Sequence, residues 1–263
     1  MNAPSKRYNV FEKRTFRFRS IKSVIDEIDL LVNKFGVKHI KILDELFIIK
    51  HPRIDEFIDR MAERNYGLNL WCFARVDSVE PKTLERLKKI GMNWVAYGIE
   101  SVDRTVLTST TKRYSQQLLE DVVKWSRDAG MNICADAIFG LWDDDYDTMD
   151  ATRDFLYENN FEWINIYPGY AYPGTPLYEE YIRKKIIEEP RSWDHYSMYG
   201  YEGGALPTQF LKPAQVLKYR DDVFRDYYLR SDFLSYLEGK FDHSTREHVE
   251  GMVKVKLKRR SSI

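Results

Sequence analysis

Short apolar runs in this chain end repeatedly in residues able to hold or move charge. Asp44 and Glu45 close the first run, Arg75 and Asp77 the second, and Glu100 and Ser101 the third; Asp136 interrupts the fourth, and Tyr170 and Tyr172 follow the fifth. Carboxylates can shuttle protons or accept from an ammonium, and a guanidinium grips a carboxylate through its fork. Tyrosine offers a flat apolar face with a polar tip. Around one pocket, Glu100, Asp136 and Arg75 would suffice for acid–base chemistry of the aldolase or isomerase kind. Metal chemistry has less support. The two cysteines, Cys72 and Cys134, are too few for a disulfide scaffold and too far apart to be a ligand pair by spacing. Each sits in an apolar run and reads as a small core residue. The five histidines, His39, His51, His195, His243 and His248, show no ligand spacing, and His195 reads as a surface residue of an aromatic loop. Asp143, Asp145 and Asp147 are spaced like the start of a calcium loop. Thr148 stands where that loop needs its sharp-turn glycine, and no glutamate occupies position twelve, so capping of the next helix is the better account.

These polar ends need elements to position them. Strand-like runs lie at VKHIKIL (37–43), LNLWCFA (68–74), MNWVAYGI (92–99), NICADAIFG (132–140) and EWINIYP (162–168). The clearest helix runs from Ile21 to Phe35, with Val24, Ile25, Ile28, Leu31, Val32 and Phe35 on one stripe, Ser20 as N-cap and Gly36 as stop. Further helices open at Pro52, Pro81 and Ser115, the last two closed by Gly91 and Gly130, and another spans about Thr148 to Asn159. This βα alternation closes into a barrel or an open doubly wound sheet. In a barrel the polar strand ends would share one rim, where active sites of such folds are built. No G-x-G-x-x-G follows a strand, which disfavours a dinucleotide-binding sheet. From about residue 178 the pattern is helical, Tyr178 to Ile187 and Pro213 to Tyr228, around the aromatic loop SWDHYSMYGYEGG. The basic tail VKVKLKRRSSI reads as a frayed, solvated end.

Composition bounds the function. With 263 residues, 43% hydrophobic and 31% charged, the chain can bury a large core, and 41 basic side chains balance 41 acidic ones. That balance argues against nucleic-acid or anionic-membrane binding by bulk charge. With no signal peptide or membrane-length apolar run, the expected location is the cytoplasm.

Seven segments, in order, carry a family likeness: RTFRFRSIKSVIDEIDLLVNKFG, HIKILDELF, WCFARVDSV, WVAYGIES, TKRYS, ADAIFGL and AYPGTPLYE. Across about residues 14 to 180 the chain resembles radical S-adenosylmethionine (radical SAM) enzymes, in particular the branch often fused to a cobalamin-binding domain. The resemblance implies an α/β fold, a partial (β/α)6 TIM-like barrel over residues 1–177 lacking its first strand, with a mostly helical extension over 178–263. It implies S-adenosylmethionine and a 4Fe-4S cluster as cofactors, a 5'-deoxyadenosyl radical that abstracts a substrate hydrogen, and room for cobalamin through an upstream domain. An unknown small-molecule substrate and an electron donor are the expected partners, with no nucleic acid and no membrane span.

The family's cluster hangs on a C-x3-C-x2-C loop, which this sequence does not contain. Two readings follow: a chain that begins just beyond the loop at an internal methionine, which the intact downstream motifs favour, or a binding module that has lost the chemistry. A missing edge strand would make the isolated chain less stable than an intact homologue. By the same resemblance, Asp44 and Glu45 meet the amino group of the cofactor, and Glu100 and Ser101 its ribose or methionyl part, with Gly98 allowing close approach. Arg75 takes a carboxylate of cofactor or substrate, and Lys112 or Arg113 neutralises the methionyl carboxylate. Ile138, Phe139, Gly140 and Leu141 pack on adenine, and Tyr170, Tyr172, Pro173, Gly174 and Thr175 form the turn beside it. After Leu141 the chain departs from the family's usual Pro-Gly-Glu-Thr, with WDDDYDT in its place.

Overall fold

The computed structural model describes residues 18–110, 112, 114–190, 192–255 and 257–260; Arg113 and the arginine-rich stretch before Phe18 lie outside them. Helix α1 (Ile21–Phe35) begins where the Ser20 hydroxyl accepts from the Ser23 amide and stops at Gly36, φ 64°. It buries Ile21, Ile25 and Ile28, whereas Phe35, expected on the same stripe, is 62% exposed with the Lys34 ammonium over its ring. Strand β1 (His39–Lys41) is shorter than expected. The chain then bulges outward at Asp44 and Glu45 and returns to β2 (Asn69–Ala74) through a bridge between Ile48 and Ala74. Between them lies α2 (Pro52–Arg64). Next come α3 (Pro81–Lys89), β3 (Met92–Glu100), the short α4 (Arg104–Ser109), α5 (Gln116–Asp128), β4 (Asn132–Phe139), α6 (Tyr146–Asn159) and β5 (Trp163–Pro168).

The strands form one parallel sheet in the order β1-β2-β3-β4-β5, a curled half-barrel with helical crossovers, as the alternation predicts. Val95, Ala96 and Tyr97 are buried in succession, as expected for a strand covered on both faces. Cys72 and Cys134 are buried within strands, and burial pushes the Cys72 thiol far above its ordinary value, so both are core residues.

Contacts divide the chain into two compact units. The first takes residues 18–99 and 114–135; the second takes 100–110, 112 and everything described from 136 onward. In the second unit, β5 is followed by α7 (Pro176–Arg183), α8 (Pro213–Leu229), α9 (Ser231–Lys240) and α10 (His243–Val253). Helix α7 starts two residues before the expected Tyr178 because Thr175 caps it and Pro176 takes its first position. The last two helices were not foreseen, since their apolar stripes are weak.

Helix α8 does for the outer edge of β5 what a sixth strand would. The Tyr228 hydroxyl accepts from the Ile164 amide at 2.8 Å and donates to its carbonyl at 2.9 Å, and Arg220 Nε donates to the Ile166 carbonyl at 2.6 Å. Side chains thus satisfy edge groups that would otherwise be open to a foreign strand. Within the basic tail, expected to be frayed and solvated, Arg259 is instead docked. Arg259 is 4% exposed, with Nε on Asp221 at 2.8 Å and Nη2 on the Met198 carbonyl at 2.6 Å.

The acid-rich segment after β4 turns on Asp144, which the calcium-loop spacing passes over. Asp145 is the N-cap of α6, so the capping account holds. Asp144 is 1% exposed; its carboxyl accepts from the Gly140 and Leu141 amides at 3.0 and 2.9 Å and from the Thr148 hydroxyl at 2.9 Å. Burial outweighs these hydrogen bonds and pushes its pKa up to about 6.

Two predictions follow from this packing. A Cβ at Gly91, φ 90°, would meet the Leu68 carbonyl oxygen at 2.1 Å, whereas one at Gly36 meets nothing within 4 Å. Gly36→Ala should therefore cost about 1 kcal/mol in a urea titration, the left-handed strain alone, and Gly91→Ala clearly more. For Asp144 the folded chain holds its proton to higher pH than the unfolded chain, so its contribution is present below about pH 4 and lost as pH rises through about 6. Asp144→Asn keeps the acceptor without the charge. It should gain stability relative to the parent between pH 4 and pH 7, by up to about 3 kcal/mol, and a pH-independent difference would contradict the assignment.

Candidate functional site

Within the first unit, the polar strand ends lie after β1 and β2. Asp44 and Glu45 are exposed in the turn after β1, a position fixed because the Ile42 and Phe47 amides on either side donate to β2 carbonyls at 2.8 and 3.1 Å. Arg75 leaves β2 into a single turn in which the Ser78 hydroxyl accepts from the Arg75 amide at 3.2 Å and donates to its carbonyl at 2.9 Å. Its guanidinium grips Asp77 with both prongs, at 2.8 and 2.7 Å, which raises its pKa further. The end of β3 is held inside this unit by the Tyr114 hydroxyl, which donates to the Ile99 carbonyl.

The second unit begins with Glu100. Its φ of 62° puts a non-glycine residue in the left-handed region at the moment the chain leaves the sheet, a strain that persists only where surroundings impose it and that clusters at functional sites. There its carboxylate meets the Lys112 ammonium at 2.5 Å, with both side chains more than four-fifths buried. Ser101 follows Glu100 at the end of β3. It is 1% exposed, and its hydroxyl accepts from the Asp103 amide at 3.1 Å and meets the Thr152 hydroxyl at 3.2 Å. It therefore holds the turn that Glu100 starts. Asp136 accepts from the Asn165 side-chain amide at 2.8 Å across neighbouring strands.

Two further stretches of the second unit complete the expected set. Phe139 is buried with its ring 5.3 Å from that of Tyr219, and the Gly140 amide is already given to Asp144. At Gly140 a Cβ would lie 2.6 Å from Val216, so no side chain fits between this turn and α8. Tyr172, Pro173, Gly174 and Thr175 form a tight turn, closed by the Thr175 amide on the Tyr172 carbonyl at 3.0 Å, with Gly174 at φ 81° as a type II turn demands. Tyr172 is half exposed and stacks on Tyr196 at 5.3 Å. His195, expected at the surface, is half-buried instead, its ring edge-on to Tyr196 at 5.3 Å, and burial lowers its pKa. The hydroxyls of Tyr170 and Tyr196 are buried without a hydrogen-bond partner.

The pairing of Glu100 with Lys112 and the stack of Tyr172 on Tyr196 were not foreseen as contacts, although three of these residues stood out as polar or aromatic in the sequence. Asp144 carried no signal beyond composition, whereas Tyr196 belongs to the aromatic loop SWDHYSMYGYEGG, whose composition and position suggest a pocket-shaping cover. Among the described residues no group of three or more His, Cys, Asp or Glu side chains is placed to hold a metal ion. Neither thiol fits a 4Fe-4S cluster, since both are buried in strands and far from a C-x3-C-x2-C spacing. The charged pair of Glu100 and Lys112 does fit the methionyl end of S-adenosylmethionine, which carries an ammonium and a carboxylate on one carbon.

The chain is 24% identical over 248 residues to an uncharacterised methyltransferase of Pyrococcus horikoshii, covering 93% of this chain and 52% of that protein. It is 23% identical to the anaerobic magnesium-protoporphyrin IX monomethyl ester cyclase of Rubrivivax gelatinosus, covering 93% and 43%. To a bacteriochlorophyllide d C-12(1)-methyltransferase of Chlorobaculum tepidum it is 25% identical, covering 86% and 49%. The chain thus spans about half the length of the curated relatives it matches. Among solved structures, the radical S-adenosylmethionine methyltransferase TsrM of Kitasatospora setae, with tryptophan and a SAM analogue bound, superposes with a TM-score of 0.58 at 19% identity. That match covers 63% of this chain and 33% of TsrM, and carries the fold alone. No helix among the described residues is long and apolar enough to cross a membrane. The sequence profile of the Radical SAM superfamily matches residues 5–156, more than half of the chain, and with the parallel half-barrel this makes the chain a member of the radical SAM superfamily, whose enzymes use S-adenosylmethionine and a 4Fe-4S cluster.

Proposed function

We propose that this radical SAM domain binds S-adenosylmethionine through its strand-end residues and serves methyl transfer to a small-molecule acceptor. The observation that carries the binding is the strained Glu100 locked onto Lys112 at 2.5 Å in a largely buried position. An internal ion pair of this kind is complementary to an amino-acid zwitterion: the cofactor's ammonium replaces Lys112 at Glu100, and its carboxylate replaces Glu100 at Lys112. Exchange of partners leaves no charge unpaired, which is what makes it affordable in a partly dry setting. Tyr172 presents a half-exposed ring beside the Pro173–Gly174 turn, suited to a flat base. Ser101, Phe139 and Gly140 are assigned supporting positions, since each is already engaged by its neighbours. Asp44, Glu45 and Arg75 stand at strand ends of the other unit.

The bound cofactor's sulfonium supplies a transferable methyl group and, once reduced, radical chemistry. The two cysteines do not fit the cluster that would deliver the electron, so no step is derived through it. Methyl transfer is favoured because methyltransferases recur among the relatives, alongside a cyclase and a methylthiotransferase. The competing reading, an acid–base barrel enzyme using Glu100, Asp136 and Arg75, is weakened because each of these groups already has a partner in its own unit.

Isothermal titration of the chain with S-adenosylmethionine tests the binding. Glu100→Gln should weaken affinity about tenfold or more, the loss of one charge-assisted contact, and Lys112→Gln should do the same while sparing an analogue that lacks the carboxylate. Affinity unchanged in both variants would overturn the assignment, and no binding by the parent chain would favour the acid–base reading.

A further inference from the structure

A cluster in the second unit holds more positive charge than it neutralises. Arg220 and Arg259 are 1% and 4% exposed, and both lean on the single carboxylate of Asp221, at 2.8 Å each. Arg220 Nη2 finds only the Met198 thioether, at 3.4 Å, and sulfur is a weak acceptor that an oxyanion would readily replace. Arg259 Nη1 is buried with no partner. Nothing in this cluster belongs to the residues assigned to S-adenosylmethionine.

The cluster borders a cavity of about 790 Å³ between α8 and the end of α10, large enough for a metabolite-sized ligand. Its cationic lining is Arg220, Arg225 and Lys254 against one lining acid, Asp221, with Arg225 also paired to Asp222 and Asp226 beside the cavity, at 3.3 and 3.0 Å. The rest is predominantly apolar, with Phe224 4.9 Å and Tyr199 5.9 Å from the Arg220 guanidinium over their ring faces.

We propose that this cavity binds an anionic amphiphile, an organic molecule with a carboxylate or phosphate head on an apolar body. The head replaces the Met198 sulfur at Arg220 and draws on Arg225 and Lys254 at the rim, while the body lies against Phe224, Tyr199 and the aliphatic side chains that end α10. An uncharged molecule of the same shape would leave the excess guanidinium charge uncompensated, and a small inorganic anion would leave the apolar wall wet.

Fluorescence titration of the full chain with 8-anilinonaphthalene-1-sulfonate, and in parallel with uncharged N-phenyl-1-naphthylamine, tests the proposal. The sulfonate should bind saturably, one per chain, at least tenfold tighter than the amine. The rim double variant Arg225→Gln/Lys254→Gln, at exposed positions where folding is not at stake, should weaken the sulfonate at least fivefold and leave the amine unchanged. Asp221→Asn should tighten the sulfonate, where a purely structural role would only loosen the fold. Dodecanoate and dodecyl phosphate should compete with the sulfonate, and the stronger competitor identifies the head group. Equal affinity for both probes, indifference to the rim variant, displacement by neither competitor, or displacement of the sulfonate by S-adenosylmethionine would each overturn it.

Discussion

A parallel strand can be followed by another only through a crossover, and this constraint organises the molecule. Each strand must hand the chain to a loop at its C-terminal end, where ladder partners run out and backbone groups need other company. Here the company is side chains: Tyr114 on the Ile99 carbonyl, Ser78 around Arg75, and Asp144 on the amides of Gly140 and Leu141. The same groups that finish the strands also fix the geometry of the charged residues beside them. At the sheet's last strand the requirement becomes lateral, and Tyr228 and Arg220 of α8 meet it.

The strand end at Glu100 shows how structural need and chemistry coincide. The chain must turn sharply there, Ser101 and Thr152 hold the turn, and the price is a left-handed glutamate whose side chain is delivered to Lys112. A glycine would turn more easily but would bring no carboxylate. What the domain lacks within this sequence is equally plain, because its two thiols are spent on the core of the sheet and neither is available as a cluster ligand.

Much of the fold was legible because hydrophobic period and caps report local physics. Ser20, Ser115, Gly36 and the prolines at 52, 81 and 213 mark helix ends where the structure has them, and all five apolar runs are strands. Less visible were features made by long-range burial. Asp144 reads as one acid among several until Gly140 and Leu141 fold back on it, and Arg259 reads as part of a solvated tail until Asp221, nearly forty positions earlier, receives it. His195 misled for the same reason: a lone histidine in a glycine-containing aromatic loop reads as solvated, but the rings of Tyr170 and Tyr196 pack edge-on against it. The site residues showed as types at strand ends, whereas their partners, Lys112 for Glu100 above all, depend on loops whose shape periodicity does not encode.

Hydrogen–deuterium exchange of the chain with and without saturating S-adenosylmethionine tests the central claim most directly. The account predicts slower exchange on binding at residues 98–101, where the strained turn would be clamped, and at 170–175, beside the Tyr172 ring. Protection confined to α8 and α10, with the end of β3 unaffected, would contradict it.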